Sequence, residues 1–507
     1  MDASNLDAKP VSLTKSALQG ILSNYAGIAV LVVAQIAATA ATARLISPAW
    51  FGAYAAAQFA LLLASYFTIS TISLGLLRRA ELGEKTVGSA ITLSLTAATL
   101  VMVLMWVFAA QWAAAWKISS ATSLVRVLAV ALFFTSLASV PIALVRRRLR
   151  FGVAAVAETS AQVCGMGTGV TVAVFTHSAI ALAIGQVVSG VILFFWASVL
   201  ARRDLRFGFD RSEGRELLTY GSQLSGLYFG SWAVNAIPGW IAGRSFGAPT
   251  LGLYSRASLV INIPVGYLQI GITKVLFPLY GRVRDDIART KAMLSEGLAL
   301  ATGFTWPVFA FVAGASPVVV NALLGANWHG AIPLLRLCAL IACGLFPTGL
   351  LTNAAEALGW IRFAAFRLIV LLVLLSAAVG TVELAGLGLN SLLVGVAIAQ
   401  WLTYAIMLRT FVSRGVVDSR LVYRSHVAHA LGSLGAFAIA FGIAELLAGE
   451  SLVVAIVAEL GALTGVCVFI FFARSWFPAS EILARRLAEV IPTSNPWFAR
   501  LRLKPAR

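Results

Sequence analysis

Charge is what this sequence has least of. Only 11% of its 507 residues are charged, while 60% are hydrophobic. A soluble domain carries about a quarter charged residues, so a water-facing globule is excluded and no sizeable soluble domain is expected. Cysteine is scarce as well. Cys164, Cys338, Cys343 and Cys467 all fall in apolar stretches without metal-ligand spacing, so they read as small buried hydrophobes, with no disulfide or zinc site. The histidines are His177, His329, His426 and His429, at span ends or in loops. His426 and His429 stand at i, i+3, but beside Arg420 and Arg424 they read as interfacial. No metal site and no cofactor is expected. A P-loop is absent, which excludes ATP hydrolysis by this chain. Outer loops are short, and the Asp285-Asp286 pair lies among basic residues of the inner side. A glycan polymerase or lipid-linked glycosyltransferase, which would need carboxylates in a sizeable outer loop, is therefore disfavoured.

What the sequence has in quantity is apolar runs of the length that crosses a bilayer, about 20 residues. Fourteen can be marked between charges, glycines and prolines. They predict an all-α integral membrane protein with 14 transmembrane helices, built as two parallel-repeat six-helix bundles plus two C-terminal helices. The expected order is an N-terminal segment 1–18, a first bundle 19–201, a basic linker 202–216 and a second bundle 217–412. A second linker 413–426, two further helices 427–473 and a basic tail 474–507 complete it. The first apolar run is longer than a signal-peptide core and is expected to be retained. In the tail, Trp476, Phe477, Trp497 and Phe498 alternate with Arg485, Arg486, Arg500, Arg502 and Lys504. That mixture suits a segment lying on an anionic membrane surface, or a disordered basic tail.

The net charge of +18 could point to nucleic acid, but its placement decides otherwise. With the N-terminus inside, nearly all Lys and Arg fall in inner loops. Among the 38 of them, only Arg44, Lys117, Arg126, Arg244, Arg256 and Arg336 fall outside. This is the positive-inside pattern, and it places both termini in the cytoplasm. Membrane lipid is the implied neighbour, and no nucleic acid.

The chain also echoes itself. Arg44, Pro48, Gly52 and Tyr54 return as Arg244, Pro249, Gly252 and Tyr254, and Gln35 returns as Asn235, mostly at an offset of 200. Arg150-Phe151 after Pro141 returns as Arg362-Phe363 after Pro347. Six spans per repeat is an even number, so the halves share one orientation, with substrate expected between them.

These residues carry a resemblance. The stretch from Ala43 to Tyr54, the run from Pro141 through Arg146-Arg147-Arg148-Leu149-Arg150-Phe151, and above all Leu251-Gly252-Leu253-Tyr254-Ser255-Arg256-Ala257 resemble the polysaccharide transporter family. Leu276-Phe277-Pro278 and the stretch from Trp328 to Arg336 add to it. The family is the flippase branch of the multidrug, oligosaccharidyl-lipid and polysaccharide exporter superfamily. The resemblance covers roughly residues 15–410. It implies a flippase, not an enzyme, in a bacterial plasma membrane. It also implies a polyprenyl-pyrophosphate-linked oligosaccharide as cargo, bound for exopolysaccharide or lipopolysaccharide, with a polysaccharide polymerase and a chain-length regulator as partners. Where members often have a polar or acidic cluster in the seventh span, this chain has Asn235 followed by Ala236-Ile237-Pro238-Gly239. A drug or organic-cation antiporter of the same superfamily is the alternative, and it would need acidic groups that the central spans lack.

A diphosphate crossing lipid needs cations in a watered cavity, and Arg suits phosphate because its planar fork bonds bidentately. Arg256, roughly 6 to 9 Å inside the eighth span by helical rise, is the leading pyrophosphate-binding candidate; snorkelling to the headgroups is its plainer reading. Arg44 and Arg244 flank the central spans, to attract phosphate or to anchor helix ends. Gln35, Gln58, Asn235, Asn262 and Gln269 could meet sugar hydroxyls or join helices. Glu158 and Glu356 could couple transport to an ion, or form ordinary salt bridges with nearby Arg. Pro238 and Pro264 are expected to kink the seventh and eighth spans.

Overall fold

The computed structural model describes the backbone of residues 11–78, 83–148, 150–205, 208–283, 286–472 and 476–490. Side chains are described within these except at 11–26, 69–75, 77–78, 220–228, 267–283, 361, 364, 471 and 485–490. Every regular element among the described residues is helical. In hydrocarbon no water can satisfy a free backbone N–H or C=O, and a helix satisfies them within one segment. Eleven helices are long and apolar enough to span a membrane among the described residues, so the chain is a multi-pass membrane protein. Helix Phe151–Thr176 is not among them, because Glu158, Thr159, Ser160, Gln162, Thr168 and Thr171 dilute its apolarity.

The chain divides into two compact units, Met1–Ser255 and Arg256–Arg507. The first contains α1 (Val11–Leu45), α2 (Pro48–Arg78), α3 (Glu84–Val107), the short α4 (Ala109–Ala115), α5 (Ala121–Arg147), α6 (Phe151–Thr176) and α7 (Ile180–Ala201). It also takes the first part of α8, which runs from Arg211 to Val283. Alanines and glycines dominate its core, since small residues let membrane helices approach closely. On α6 and α7, Gly165 and Gly185 face each other so tightly that a Cβ on either would lie 2.5 Å from the other's carbonyl oxygen. The basic linker is docked, not loose. Asp210 N–H donates to Ser89 Oγ at 2.8 Å, and Thr92 Oγ1 donates to the Gly208 carbonyl at 3.1 Å.

The helical dihedrals of α8 are interrupted at Gly247 (φ 86°, ψ 173°), between its two arms. A positive φ suits glycine, which has no Cβ to clash. Pro249 then stands in the first turn of the second arm, where its missing N–H costs nothing.

The second unit holds the rest of α8, then α9 (Ile287–Gly314), α10 (Ser316–Leu323), α11 (Ala331–Ala357), α12 (Ile361–Leu384) and α13 (Leu389–Ser413). α14 (Ser419–Leu446), α15 (Leu452–Phe472) and α16 (Pro478–Val490) follow. Asp286 and Asp418 cap α9 and α14, each carboxylate accepting from backbone N–H groups of the first turn. The cysteine expectation holds for Cys338 and Cys343, which are buried, but Cys164 and Cys467 are exposed on their helices. A thiol is apolar enough to face lipid, so burial was not required of them.

The histidine expectation is also corrected. His429 is fully buried, its Nδ1 3.0 Å from Thr302 Oγ1, and His426 Nε2 lies 2.5 Å from the Tyr404 hydroxyl. The start of the tail covers this place. Phe477 is buried with its ring stacked parallel to His429, and Trp476 stays exposed. Thus α16 begins as a packed element of this unit. Trp497, Phe498, Arg500, Arg502 and Lys504 lie outside the described residues, as do the side chains of Arg485 and Arg486.

Gly303 of α9 makes this packing possible, because a Cβ there would fall 2.3 Å from Ala479 Cβ and 2.9 Å from His429 Nε2. Gly303→Ala is expected to cost about 1–3 kcal/mol, the range for overpacking a filled core. A lowered thermal unfolding midpoint of the purified chain checks this.

Candidate functional site

The repeat residues near 48 and 248 meet in space. At the start of α2, a Cβ on Gly52 would lie 1.8 Å from the Ala248 carbonyl oxygen. On the second arm of α8, a Cβ on Gly252 would lie 1.9 Å from the Pro48 carbonyl oxygen. The contact is reciprocal at the same offset of 200: Gly52 against Ala248, Gly252 against Pro48. Two helix starts can cross backbone to backbone only if neither carries a side chain there.

Arg44, Arg244 and Arg256 lie around this crossing in sequence. Arg44, exposed in the last turn of α1, donates from Nη1 to the Ala40 carbonyl of its own helix at 3.2 Å. Arg244 is exposed and donates from Nη1 to the Ala115 carbonyl at 2.7 Å. That carbonyl ends α4, and a cation at a helix C-terminus is favoured by the helix dipole. Arg244 therefore already serves as a helix-end anchor. Trp112, Trp116 and Trp240 cluster at the same place, with Trp116 stacked on Phe59 at 5.1 Å between ring centroids. Arg256 differs. It opens the second unit and is half-buried on the second arm of α8, nine residues beyond Gly247, or about 13 Å along the helix. An ionised group at such depth must face a cavity or a partner.

Of the polar candidates, Gln58 donates to the Tyr54 hydroxyl at 2.5 Å, and Gln186 donates to the same oxygen at 2.8 Å. Gln186 on α7 thus joins that helix to α2, while the Gln58 bond stays within α2. Asn235 is exposed and donates to the Ser231 carbonyl, 2.7 Å away on its own helix. Gln35 is half-buried and Asn262 is exposed. Gln269 lies in α8 with its side chain outside the described residues.

Glu158 pairs with Arg146, Oε1 to Nη2 at 2.6 Å, tying α6 to the end of α5. Glu356, exposed near the end of α11, feels the charge of Arg367 on α12. The salt-bridge alternative thus describes Glu158, whose proximity to the arginine run was visible in the sequence.

Beside the Glu158 pair lies a cleft of about 380 Å³ lined by Gly83, Glu84, Val87, Leu144, Arg147, Arg148, Arg203 and Asp204. Arg148 pairs with Asp204, and Arg147 donates to the Leu76 carbonyl at 3.1 Å. Arg203 is exposed. The adjoining Asp210 caps α8. Its carboxylate accepts from the Ser212 hydroxyl, from Ser212 N–H at 2.9 Å and from Glu213 N–H at 3.3 Å, with Lys85 3.7 Å away. The Ser212 hydrogen bond first, then these backbone donors, hold the Asp210 carboxyl below its ordinary 3.8. A depressed folded value means the contribution is present above the unfolded value and is lost as pH falls through the folded one. Asp210→Ala should therefore lower the thermal midpoint at neutral pH, and the difference from wild type should shrink on acidification below the ordinary value. Unfolding scans of both proteins over pH check it.

Two buried polar groups, Gln400 and Glu459, have no place in the sequence expectations, and His429 joins them in burial; all three are 5% exposed or less. Gln400 has a partner in Thr348, and His429 has Thr302. A polar residue inside an apolar run was the signal for each.

The chain is similar to known proteins in two ways. By sequence it is 24% identical to the teichuronic acid biosynthesis protein TuaB of Bacillus subtilis, over 52% of this chain and 56% of that protein. It is also 24% identical to the lipopolysaccharide biosynthesis protein WzxC of Escherichia coli, over 44% and 45%. A third relative is the succinoglycan biosynthesis transport protein ExoT of Rhizobium meliloti, again 24% identical, over 59% and 60%. The chain thus spans about half the length of the curated relatives it matches. By fold it is similar to the lipid II flippase MurJ in an inward closed conformation, with a TM-score of 0.70 at 12% identity, over 93% of this chain and 100% of that one. An inward-facing multidrug transporter of the MATE family, in the MOP superfamily, matches with a TM-score of 0.53 at 15% identity, over 79% and 95%. The family model described as polysaccharide biosynthesis protein matches residues 41–333. That interval holds the glycine crossing and all three candidate arginines, and the chain belongs to the polysaccharide biosynthesis protein family.

Proposed function

We propose that this protein is a flippase. It moves a polyprenyl-pyrophosphate-linked oligosaccharide from the inner to the outer leaflet of a bacterial plasma membrane, by alternating access, for exopolysaccharide or lipopolysaccharide synthesis. The observation that carries this reading is the fold likeness to a lipid II flippase over that chain's whole length. The family and the sequence relatives are named for polysaccharides, which supports a cargo that bears a glycan.

The physical task follows from the cargo. A diphosphate and a glycan must cross an apolar slab while the prenyl chain stays in lipid. A watered cavity that opens to each side in turn lowers that barrier, and guanidinium groups in it meet the phosphates. Arg256 is the cation we assign to this work. Arg44 and Arg244, exposed near the ends of the neighbouring helices, draw the headgroup toward it. Asn262 and Asn235, exposed on α8, together with Gln35 and Gln269, are available to sugar hydroxyls.

We count fourteen spans: the eleven apolar helices, α6 and the two arms of α8. The Lys and Arg bias puts both termini in the cytoplasm, and the reciprocal glycine contact supports two parallel six-span repeats followed by α14 and α15. A polysaccharide polymerase and a chain-length regulator would take the flipped product onward. The cation-antiporter reading has less support, because Glu158 is held by Arg146.

In cells depleted of this chain, surface polysaccharide should fall and lipid-linked oligosaccharide should accumulate on the inner leaflet, with recovery on re-expression. Unchanged surface glycan in depleted cells would overturn the assignment.

A further inference from the structure

One carboxylate in the second unit has no ordinary explanation. Glu459 lies in α15, only 5% exposed, and neither carboxylate oxygen has a hydrogen-bond partner among the described residues. It is seven residues past Leu452, which puts it about 10 Å into the helix.

Apolar side chains flank it before and after on the same face of α15. Ala455, one turn before it, packs with Val318 of α10 and Ala444 of α14. Ala462, Leu463 and Val466, on the same face after it, pack with Phe311, Ala315, Ala436 and Ala440. Glu459 thus sits on the seam between α15, α14 and α10, flanked by two apolar clusters.

The neighbouring elements bring no counter-charge to it. α10 has no titratable residue. On α14, Arg420, Tyr423, Arg424, His426 and His429 lie in the half nearer Ser419, and Glu445 is exposed at the far end. α16 carries Glu481, Arg485, Arg486 and Glu489, and meets α15 at the opposite end, where Ser480 Oγ donates to the Ile470 carbonyl. Arg336 of α11 donates to Ser316 Oγ at 2.9 Å and lies 5.3 Å over the Phe441 ring. Among the described residues neither oxygen of the Glu459 carboxyl has a hydrogen-bonding partner.

A carboxylate so placed has two ways to avoid the several kcal/mol that an unpaired buried ion costs. It can hold a metal cation, or it can hold a proton. A cation needs several converging oxygens, and no cluster of three or more His, Cys, Asp or Glu exists among the described residues. The flanking residues offer methyl groups instead.

We propose that Glu459 is a proton-binding site of this transporter. With α15 packed on α14 and α10, the carboxyl is neutral. When that seam opens to water, the O–H bond breaks, the proton passes to water, and the resulting anion keeps the seam open until it is protonated again. Two packings of one helix, selected by one proton, give transport a step that a pH difference can drive. The coupling role rests on the flippase reading above; the protonation itself does not.

The test uses the purified full chain in vesicles of phosphatidylethanolamine and phosphatidylglycerol, with no glycolipid present. Infrared difference spectra between acid and alkaline buffer should show loss of a protonated-carboxyl C=O stretch in wild type. The component contributed by Glu459 should vanish from that signal in Glu459→Gln, which copies the neutral side chain and so preserves the packed seam, while the exposed carboxyls among the 20 Asp and Glu keep theirs. If Glu459→Gln retains the whole signal, or wild type has a protonated carboxyl that never titrates, the proposal is overturned. Circular dichroism of the variant must match wild type, and Glu459→Asp, which keeps the acid, should restore a shifted signal. If the infrared signal stands and labelled glycolipid still fails to cross, the flippase reading falls and the proton site does not.

Discussion

Arg256→Ala is expected to abolish export while leaving the protein in the membrane. A hydrogen bond to a charged group contributes about 1.5–3 kcal/mol, and a guanidinium can make two to one diphosphate. At about 1.4 kcal/mol per factor of ten, loss of both lowers the translocation rate roughly 100- to 10,000-fold. Arg256 is half-buried on the second arm of α8, not splayed at a helix end. Arg256→Lys keeps the charge without the planar fork, and should recover only part of the rate. Membrane levels and surface polysaccharide measured together separate lost function from lost protein.

Gly252→Ala and Gly52→Ala should act through folding. The added Cβ would sit 1.9 Å or 1.8 Å from a backbone carbonyl oxygen, while ordinary contact begins near 3.4 Å. Backbone cannot rotate away as a side chain can, so α2 and the second arm of α8 must part by roughly 1.5 Å. The cost should exceed the usual 1–3 kcal/mol of overpacking. We expect a sharp fall in folded protein for either single variant. The double variant should be little worse than one alone, because a crossing that has parted once has room for both methyls. Monodisperse protein recovered in mild detergent is the readout, and wild-type recovery of Gly252→Ala would refute the crossing.

These two predictions differ in how visible their residues were beforehand. The all-helical, multi-pass architecture came from apolar runs, because a bilayer fixes their length and removes every other backbone solution. Gly52 and Gly252 stood out through the 200-residue echo and Arg256 as a cation inside an apolar span, although periodicity could not reveal that each glycine packs against the other's helix start. The break between the two arms of α8 falls at Gly247, where the chain needs a positive φ that a hydropathy pattern does not register. His429 read as interfacial from its arginine neighbours, one to three turns away along α14. Its burial depends on Phe477 and Gly303, distant in sequence, folding over it. Glu459 passed unnoticed for a related reason. A single acid barely alters the apolarity of its run, and only packing reveals that both oxygens lack donors.

The central claim is that this chain carries a lipid diphosphate across the bilayer. The direct measurement is reconstitution into vesicles with a fluorescent polyprenyl-pyrophosphate oligosaccharide, followed by quenching from outside. Vesicles containing the wild-type chain should let the inner-leaflet pool become quenchable, and vesicles containing Arg256→Ala should behave like protein-free ones. Equal rates with and without the wild-type chain would contradict the account.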